Sequence, residues 1–115
     1  MIKIKRAYKP ADEGDGFRIL VDRLWPRGVS KERAKLDLWL KDVAPSNELR
    51  KWFAHDPERW GGFQVKYRAE LKDKKDILKE MKDNKKEESI ITLVYGAKDE
   101  NHNNAVVLRD LLKEF

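Results

Sequence analysis

The stretch Ser89-Ile-Ile-Thr-Leu-Val-Tyr95 decides the fold. Five apolar or β-branched residues stand in a row within it, which predicts a strand covered on both faces. Gly96 to Asn101 then turns the chain, and a final helix is predicted from about Asn103 to Phe115. The apolar stripe of that helix consists of Ala105, Leu108, Leu112 and Phe115. This strand-to-helix step is typical of an α/β domain.

Three further strands are predicted upstream. Residues 2–5 alternate isoleucine with lysine, and residues 17–24 contain an Ile-Leu-Val centre that is apolar on both faces. Pro26 lacks an amide donor, so the chain must turn there. Residues 36–41 alternate leucine with polar or aromatic residues. Together with a length of 115 residues, these segments predict one α/β domain over residues 1–115. Its sheet is expected to be mostly parallel, with about four strands flanked by helices on both sides. A mixed sheet is the alternative, in which residues 2–5 pair antiparallel with residues 17–24.

Two short helical segments are predicted between these strands. Ser30 is expected to cap a turn that runs through Lys35, and Ser46 to cap a helix from Asn47 to about Ala54. Trp52 lies on the apolar side of the second segment, and we expect it in the core.

A long amphipathic helix is predicted after Asp56-Pro57-Glu58, because aspartate, proline and an acid in this order favour a helix start. Apolar residues follow at helical spacing from Trp60 to Met81, with an interruption near Asp73. We expect Trp60 in the core and residues 84–88 as a polar link.

Composition bounds the function. The chain has no cysteine, which excludes disulfides, thiolate metal sites and cysteine nucleophiles. No apolar run reaches the ~20 residues that span a bilayer, and the first residues do not form a signal peptide, so we expect a cytoplasmic protein without membrane contact. The formal net charge is +5, and residues 1–33 hold nine basic and five acidic side chains. Such an excess favours anionic ligands or nucleic acid.

Two groups of polar and aromatic residues follow the predicted strands. The first group, which the strand at residues 17–24 brings to its carboxyl end, consists of Asp22, Arg23, Trp25 and Arg27. The strand that begins at residue 36 brings Pro45 and Ser46 to the same edge. The second group, at the end of the strand at 89–95 and beyond it, consists of Tyr95, Lys98, Asp99, His102, Asn103 and Asn104. Ligands of open parallel sheets bind beyond the carboxyl ends of the strands, so we expect the two groups to meet at one edge.

The residue types in these groups suggest roles. Arg23, Arg27 and Lys98 would hold an anion at the start of the last helix, where free backbone amides also favour negative charge. Trp25, Tyr95, Asn103 and Asn104 are the other predicted binding residues. Asp22, Asp99 or His102 would transfer a proton. The alternative is that Asn101 or Asn103 only caps the helix, that Asp22 only pairs with Arg23 or another arginine and that His102 only packs and caps the helix start.

The sequence predicts no metal site, because His55 and His102 do not lie at metal-binding spacing from other ligands. It does not identify a cofactor or an oligomeric state. The leading hypothesis is a domain that binds an anionic small molecule, a nucleotide or a phosphorylated metabolite, with hydrolase- or transferase-type chemistry as a further expectation. The alternative is a nucleic-acid-binding module that uses the same basic edge, with Trp25 for stacking. A third interpretation, a protein-interaction domain, would use the long helix.

Three separated segments carry a resemblance to a known family. They are Arg18-Ile-Leu-Val-Asp-Arg-Leu-Trp-Pro-Arg-Gly-Val-Ser-Lys31, Trp52-Phe-Ala-His-Asp-Pro-Glu-Arg-Trp60 and Tyr95-Gly-Ala-Lys-Asp-Glu-Asn-His-Asn-Asn-Ala105. The chain resembles the YeaO-like proteins, short members of a domain-of-unknown-function family, over nearly its whole length. The resemblance implies a single small α/β domain and brings no established activity. Longer relatives carry a cysteine motif near the third segment, and a thiol mechanism does not transfer to a chain without cysteine.

Overall fold

The computed structural model describes residues 1–114. Its strands and helices, in chain order, are β1 (Ile2–Arg6), β2 (Phe17–Leu20), α1 (Lys31–Ala34), β3 (Leu38–Trp39), α2 (Asn47–Phe53), α3 (Trp60–Leu71), α4 (Lys75–Glu87), β4 (Ile91–Tyr95) and α5 (Asn104–Lys113). The strands form one sheet in the order β1-β4-β2-β3, and each neighbouring pair is parallel. The predicted α/β fold with a parallel sheet of about four strands is therefore confirmed. No helix within residues 1–114 is long and apolar enough to cross a membrane.

Strand β4 lies at the centre of the sheet. Ile91 is opposite both Ile2 of β1 and Phe17 of β2, and all five residues of β4 are buried. This position explains the unbroken apolar run, because a strand paired on both edges and covered on both faces has no polar side. The mixed sheet does not form, because β1 pairs with β4 in parallel and does not reach β2.

The two faces of the sheet are covered unequally. Helices α2 to α5 share the larger apolar cluster with Ile19, Leu93 and Tyr95. On the opposite face, Leu20 and Val94 belong to a small cluster against which Trp25 and other side chains from the segments around α1 pack. The prediction of helices on both sides is thus met on the second face only by the four-residue helix α1 and its flanking loops.

Two predicted strands are shorter than the sequence indicated. Strand β2 ends at Leu20, and only the amide of Val21 continues the ladder, to the carbonyl of Val94 at 3.1 Å. Strand β3 has two residues, because the chain turns into a 3₁₀ helix at residues 41–43. Alternating leucines at 36–40 predicted a longer strand, but a sheet edge limits the length that can pair.

The long helix predicted after Asp56 is two helices. Helix α3 ends at Leu71 and α4 begins at Lys75, close to the interruption expected near Asp73. The predicted polar link at 84–88 is wrong, since α4 continues to Glu87. No glycine or proline stands there to end a helix, and polar residues suffice on an exposed helix face. The last helix spans Asn104–Lys113, and Phe115 lies outside the described residues.

The helix starts agree with the capping residues. The Oγ atoms of Ser30 and Ser46 accept the amides of Arg33 and Leu49, each at 3.1 Å. Trp60 packs against the core, but Trp52 is 37% exposed, which corrects its expected burial. Helix α2 turns Leu49 and Phe53 inward, so Trp52 lies on its flank.

Candidate functional site

The ends of β2 and β4 emerge side by side and are joined by one carboxylate. Asp22 Oδ2 accepts the amide of Gly96 at 2.8 Å, and Asp22 Oδ1 accepts the side-chain amide of Asn104 at 3.1 Å. The same Asn104 nitrogen donates to the carbonyl of Val21 at 3.0 Å. Asp22 and Asn104, both predicted as site residues, therefore connect two strand ends with the start of α5.

A cavity of about 380 Å³ opens at this edge, and we call it the edge cavity. Three segments supply most of its lining: the segment after β2, the segment that leads into α2 together with α2 itself, and the segment after β4. His55 and Phe63 complete it. The lining residues are Asp22, Arg23, Leu24, Ala44, Pro45, Asn47, Arg50, Lys51, Phe53, His55, Phe63, Gly96, Ala97, His102, Asn103 and Asn104. Five of the predicted site residues are thus brought together around one space: Asp22, Arg23, His102, Asn103 and Asn104.

Helix α2 supplies a wall that the sequence reasoning missed. Asn47, Arg50 and Lys51 lie at helical spacing on the flank of α2 and face the edge cavity, while Leu49 and Phe53 are buried. The signal was available, because Pro45-Ser46 follows β3 and therefore starts α2 at the same carboxyl edge of the sheet. His55 was considered as a metal ligand and rejected, yet it lines the cavity.

Positive charge exceeds negative charge in the edge cavity. The lining contains the basic side chains of Arg23, Arg50 and Lys51 and a single carboxylate, that of Asp22. The Nε atom of Arg23 is buried and has no hydrogen-bond acceptor among the described residues. Buried donors are nearly always paired, so this N–H distinguishes Arg23 from the other cations of the lining.

The carboxyl group of Asp22 is held in a low-dielectric position. Burial raises its pKa, and the hydrogen bonds from Gly96 and Asn104 and the charge of Arg50 oppose that rise. The two donors need a carboxylate oxygen each, so the ionised form fits the observed bonds. Asp22 thus has both a perturbed pKa and a structural task.

Asp99 and His102 form a hydrogen-bonded pair, of which His102 lines the edge cavity and Asp99 does not. His102 Nδ1 is 2.8 Å from Asp99 Oδ2, while Asp99 Oδ1 accepts the amides of Asn101 and His102 at 2.9 and 3.1 Å. The bonds from the Asn101 amide and the His102 ring lower the pKa of Asp99. Asp99 is therefore an acceptor at neutral pH, so His102 Nδ1 is the donor of this bond and Nε2 is the ring nitrogen left for another partner. The His102 ring also packs edge-on against Trp60, at 5.2 Å between centroids.

Asn103 caps helix α5, as the alternative interpretation of this residue expected. Its Oδ1 accepts the amide of Val106 at 3.1 Å, and its Nδ2 donates to the carbonyl of Asp99 at 2.9 Å. It caps α5 and fixes the turn that carries His102. This does not conflict with its position in the cavity lining, where its role in binding stays a prediction.

The remaining predicted residues do not line the edge cavity. Trp25 lies on the opposite face of the sheet, where its Nε1 donates to the carbonyl of Val29 at 2.6 Å. Tyr95 is buried in the larger cluster, and Arg27 and Lys98 are exposed. Any contribution of these four to binding stays a prediction. Within residues 1–114, no group of three His, Cys, Asp or Glu side chains is placed to hold a metal ion.

The family follows from comparison with known proteins. A protein-family profile described as "Inactive DUF488-N3 subclade" matches residues 1–115. The chain belongs to this family. The predicted resemblance to YeaO-like proteins is confirmed as well. This DUF488-N3 chain is 45% identical over 112 residues to the uncharacterised protein YeaO of Escherichia coli strain K12, covering 97% of the chain and 96% of YeaO.

Mycobacterial relatives of the DUF488-N3 chain cover a similar span. The uncharacterised proteins Rv3073c of Mycobacterium tuberculosis strain H37Rv and Mb3100c of Mycobacterium bovis are each 39% identical over 111 residues, covering 96% of the chain and 92% of each relative. No solved structure shows significant similarity to the chain.

Proposed function

We propose that this DUF488-N3 protein binds a small anionic molecule, a nucleotide or a phosphorylated metabolite, in the edge cavity. The observation that carries the proposal is the buried, unpaired Nε–H of Arg23 beside two further cations. A phosphate or carboxylate oxygen would satisfy that donor, and a buried donor without an acceptor costs about 1–3 kcal/mol.

The cations have distinct tasks in this proposal. Arg23 presents a guanidinium fork that matches the oxygens of a phosphate or carboxylate. Arg50 acts on both the ligand and Asp22, because its charge already favours the ionised form of that carboxyl group. Arg27 and Lys98 lie outside the cavity lining, so they would add only long-range attraction.

Binding without turnover is favoured over catalysis. The description of the family as inactive supports a domain that keeps a ligand site without the reaction. His102 would then accept a hydrogen bond from the ligand through Nε2. Hydrolase- or transferase-type chemistry remains the extended form of the proposal, with His102 as the base, Asp99 as its orienting partner and Asp22 beside the cations.

Thermal unfolding in the presence of anions tests the proposal. Phosphate, ribose 5-phosphate and adenosine monophosphate would be added at constant ionic strength. A ligand at ~100 times its Kd adds ~2.7 kcal/mol to the free energy of unfolding. Arg23→Gln should abolish the stabilisation, whereas Arg33→Gln is the matched control, because Arg33 is exposed on α1 and does not line the edge cavity. Equal stabilisation of both variants would refute the proposal.

The nucleic-acid alternative gives a different result in the same assay. Polymer binding falls linearly in log salt with a slope set by the number of phosphate contacts. Trp25, the expected stacking residue, has its indole N–H bonded to Val29 and its ring packed edge-on against Trp39 at 5.4 Å. The proposal therefore expects a single-stranded oligonucleotide to bind no tighter than its mononucleotide.

A further inference from the structure

Part of the edge cavity is apolar and would remain unused by a simple anion. Phe53 and Phe63 line it as a stacked pair, with ring centroids 4.4 Å apart. Leu24 also lines it and is 65% exposed, a large fraction for a leucine. Ligand sites typically combine such apolar walls with a few placed polar groups.

Two imidazoles stand among these apolar groups. The His55 ring lies 6.3 Å from the Phe53 ring, and the His102 ring is fixed between Asp99 and the edge of Trp60. Aromatic rings pack favourably against another flat ring, in offset-stacked or edge-to-face arrangements.

The backbone that carries His55 is unusual. Ala54 and His55 both have left-handed conformations, with φ of 48° and 57°. Such conformations are uncommon outside glycine, although asparagine, aspartate and histidine adopt them more often than other residues, and two in succession oppose folding unless the surroundings hold them. Here they bend the chain after α2 so that an exposed histidine lines the cavity.

The size of the edge cavity agrees with a ligand larger than one phosphate group. Its volume of about 380 Å³ falls within the ~300–1,000 Å³ of ordinary small-molecule sites. A phosphate bound at Arg23 would leave the space beside Phe53 and His55 open.

We propose that the ligand is an anion attached to a planar heteroaromatic ring, of the size of a nucleoside monophosphate, with the anion at Arg23 and the ring at Phe53 and His55. This rests on the proposed function and selects ring-bearing anions over sugar phosphates. Phe53 and His55 are then specificity-determining residues. The chemistry admits two sources, a free mononucleotide and the end of a single strand.

Calorimetric titration tests this proposal with five probes: inorganic phosphate, ribose 5-phosphate, adenosine monophosphate, adenosine and a short single-stranded oligonucleotide. We expect adenosine monophosphate to bind about tenfold tighter than ribose 5-phosphate, a difference of about 1.4 kcal/mol. His55→Asn should reduce that ratio without weakening ribose 5-phosphate, because asparagine tolerates the left-handed backbone. Phe53→Leu should act likewise, and His55→Asn decides the matter where Phe53→Leu does not fold.

The failures are distinguishable. Equal affinity for adenosine monophosphate and ribose 5-phosphate would overturn the ring assignment and leave anion binding intact. If adenosine binds as tightly as its monophosphate, the assignment of an anion site to Arg23 is refuted. If none of the five probes binds, both the proposed function and the ring assignment are refuted. If the oligonucleotide binds more tightly than adenosine monophosphate, the ligand is the end of a single strand and not a free mononucleotide.

Discussion

Gly96 donates its backbone amide to Asp22 Oδ2 at 2.8 Å, and this bond ties the end of β4 to the end of β2. A Cβ on residue 96 would lie 3.2 Å from the same oxygen, so glycine allows the close approach. The bond determines where the edge cavity opens, because the segments after both strands supply its lining.

Replacement of Asp22 by alanine should lower the free energy of unfolding. The change leaves the Gly96 amide without its acceptor, and an unsatisfied buried donor costs about 1–3 kcal/mol. Chemical denaturation measures this loss. The control is Asp83→Ala on the exposed face of α4, which should stay within about 0.5 kcal/mol of the wild type. Equal effects of the two changes would contradict a linking role for Asp22.

A second carboxylate should govern stability in acid. Asp15 is 4% exposed and bonds Arg18 Nη1 at 2.6 Å and Lys5 Nζ at 2.9 Å. Burial alone would raise the pKa of Asp15, but the hydrogen bonds from Lys5, the Asp12 amide and Arg18 outweigh it, so the pKa is lowered. A lowered pKa contributes stability that is present above the ordinary value of 3.8 and is lost as the pH falls through the folded-state value.

Asp15→Asn should therefore destabilise the protein at neutral pH by roughly 3 kcal/mol, because Arg18 is left buried without its partner charge. The difference from the wild type should shrink as the pH falls below 3.8. Denaturation curves at several pH values measure both effects, with exposed Glu13→Gln as the control. A difference independent of pH would show that the Asp15 charge is not involved.

The two glycines at the start of α3 should respond differently to alanine. A Cβ at Gly61 meets no atom within 4 Å, whereas one at Gly62 would lie 2.7 Å from Trp52 Cη2. Gly61→Ala should stabilise the protein by about 0.5–1 kcal/mol through helix propensity. Gly62→Ala should gain less, because the Trp52 ring must shift away from the new Cβ. The shift should change the tryptophan fluorescence, because it alters the contact of that ring with Lys66 Nζ, now at 4.9 Å. Identical gains with unchanged fluorescence would refute this packing.

Salt should separate the cations that touch the ligand from those that only attract it. Arg27 is exposed and outside the cavity lining. Arg27→Gln should weaken anion binding slightly at low ionic strength and not at 1 M salt, where the Debye length is about 3 Å. Arg23→Gln should weaken binding under both conditions. Anion affinities measured at the two salt concentrations test this prediction. If Arg27→Gln loses the same affinity at both, Arg27 contacts the ligand directly.

The sequence predicted the parallel sheet and the meeting of two strand ends, because the apolar run at β4 and the carboxyl-edge rule do not depend on detailed packing. It did not predict that α2 supplies Arg50 and Lys51, since the rotation of a short helix is set by its packing on α3. It also gave His55 no role beyond a rejected metal ligand, because periodicity carries no information on a left-handed backbone. The expected burial of Trp52 was wrong for the same reason. The rotation of α2 turns Leu49 and Phe53 inward and leaves Trp52 partly exposed.

The most direct measurement is the Nε–Hε resonance of Arg23 in a ¹H–¹⁵N spectrum during titration with phosphate at constant ionic strength. Occupation of the unpaired donor should shift this resonance along a saturating curve, while the resonance of exposed Arg33 stays in place. If the Arg23 resonance does not move with phosphate, or moves equally with chloride, no anion site exists at the ends of β2 and β4.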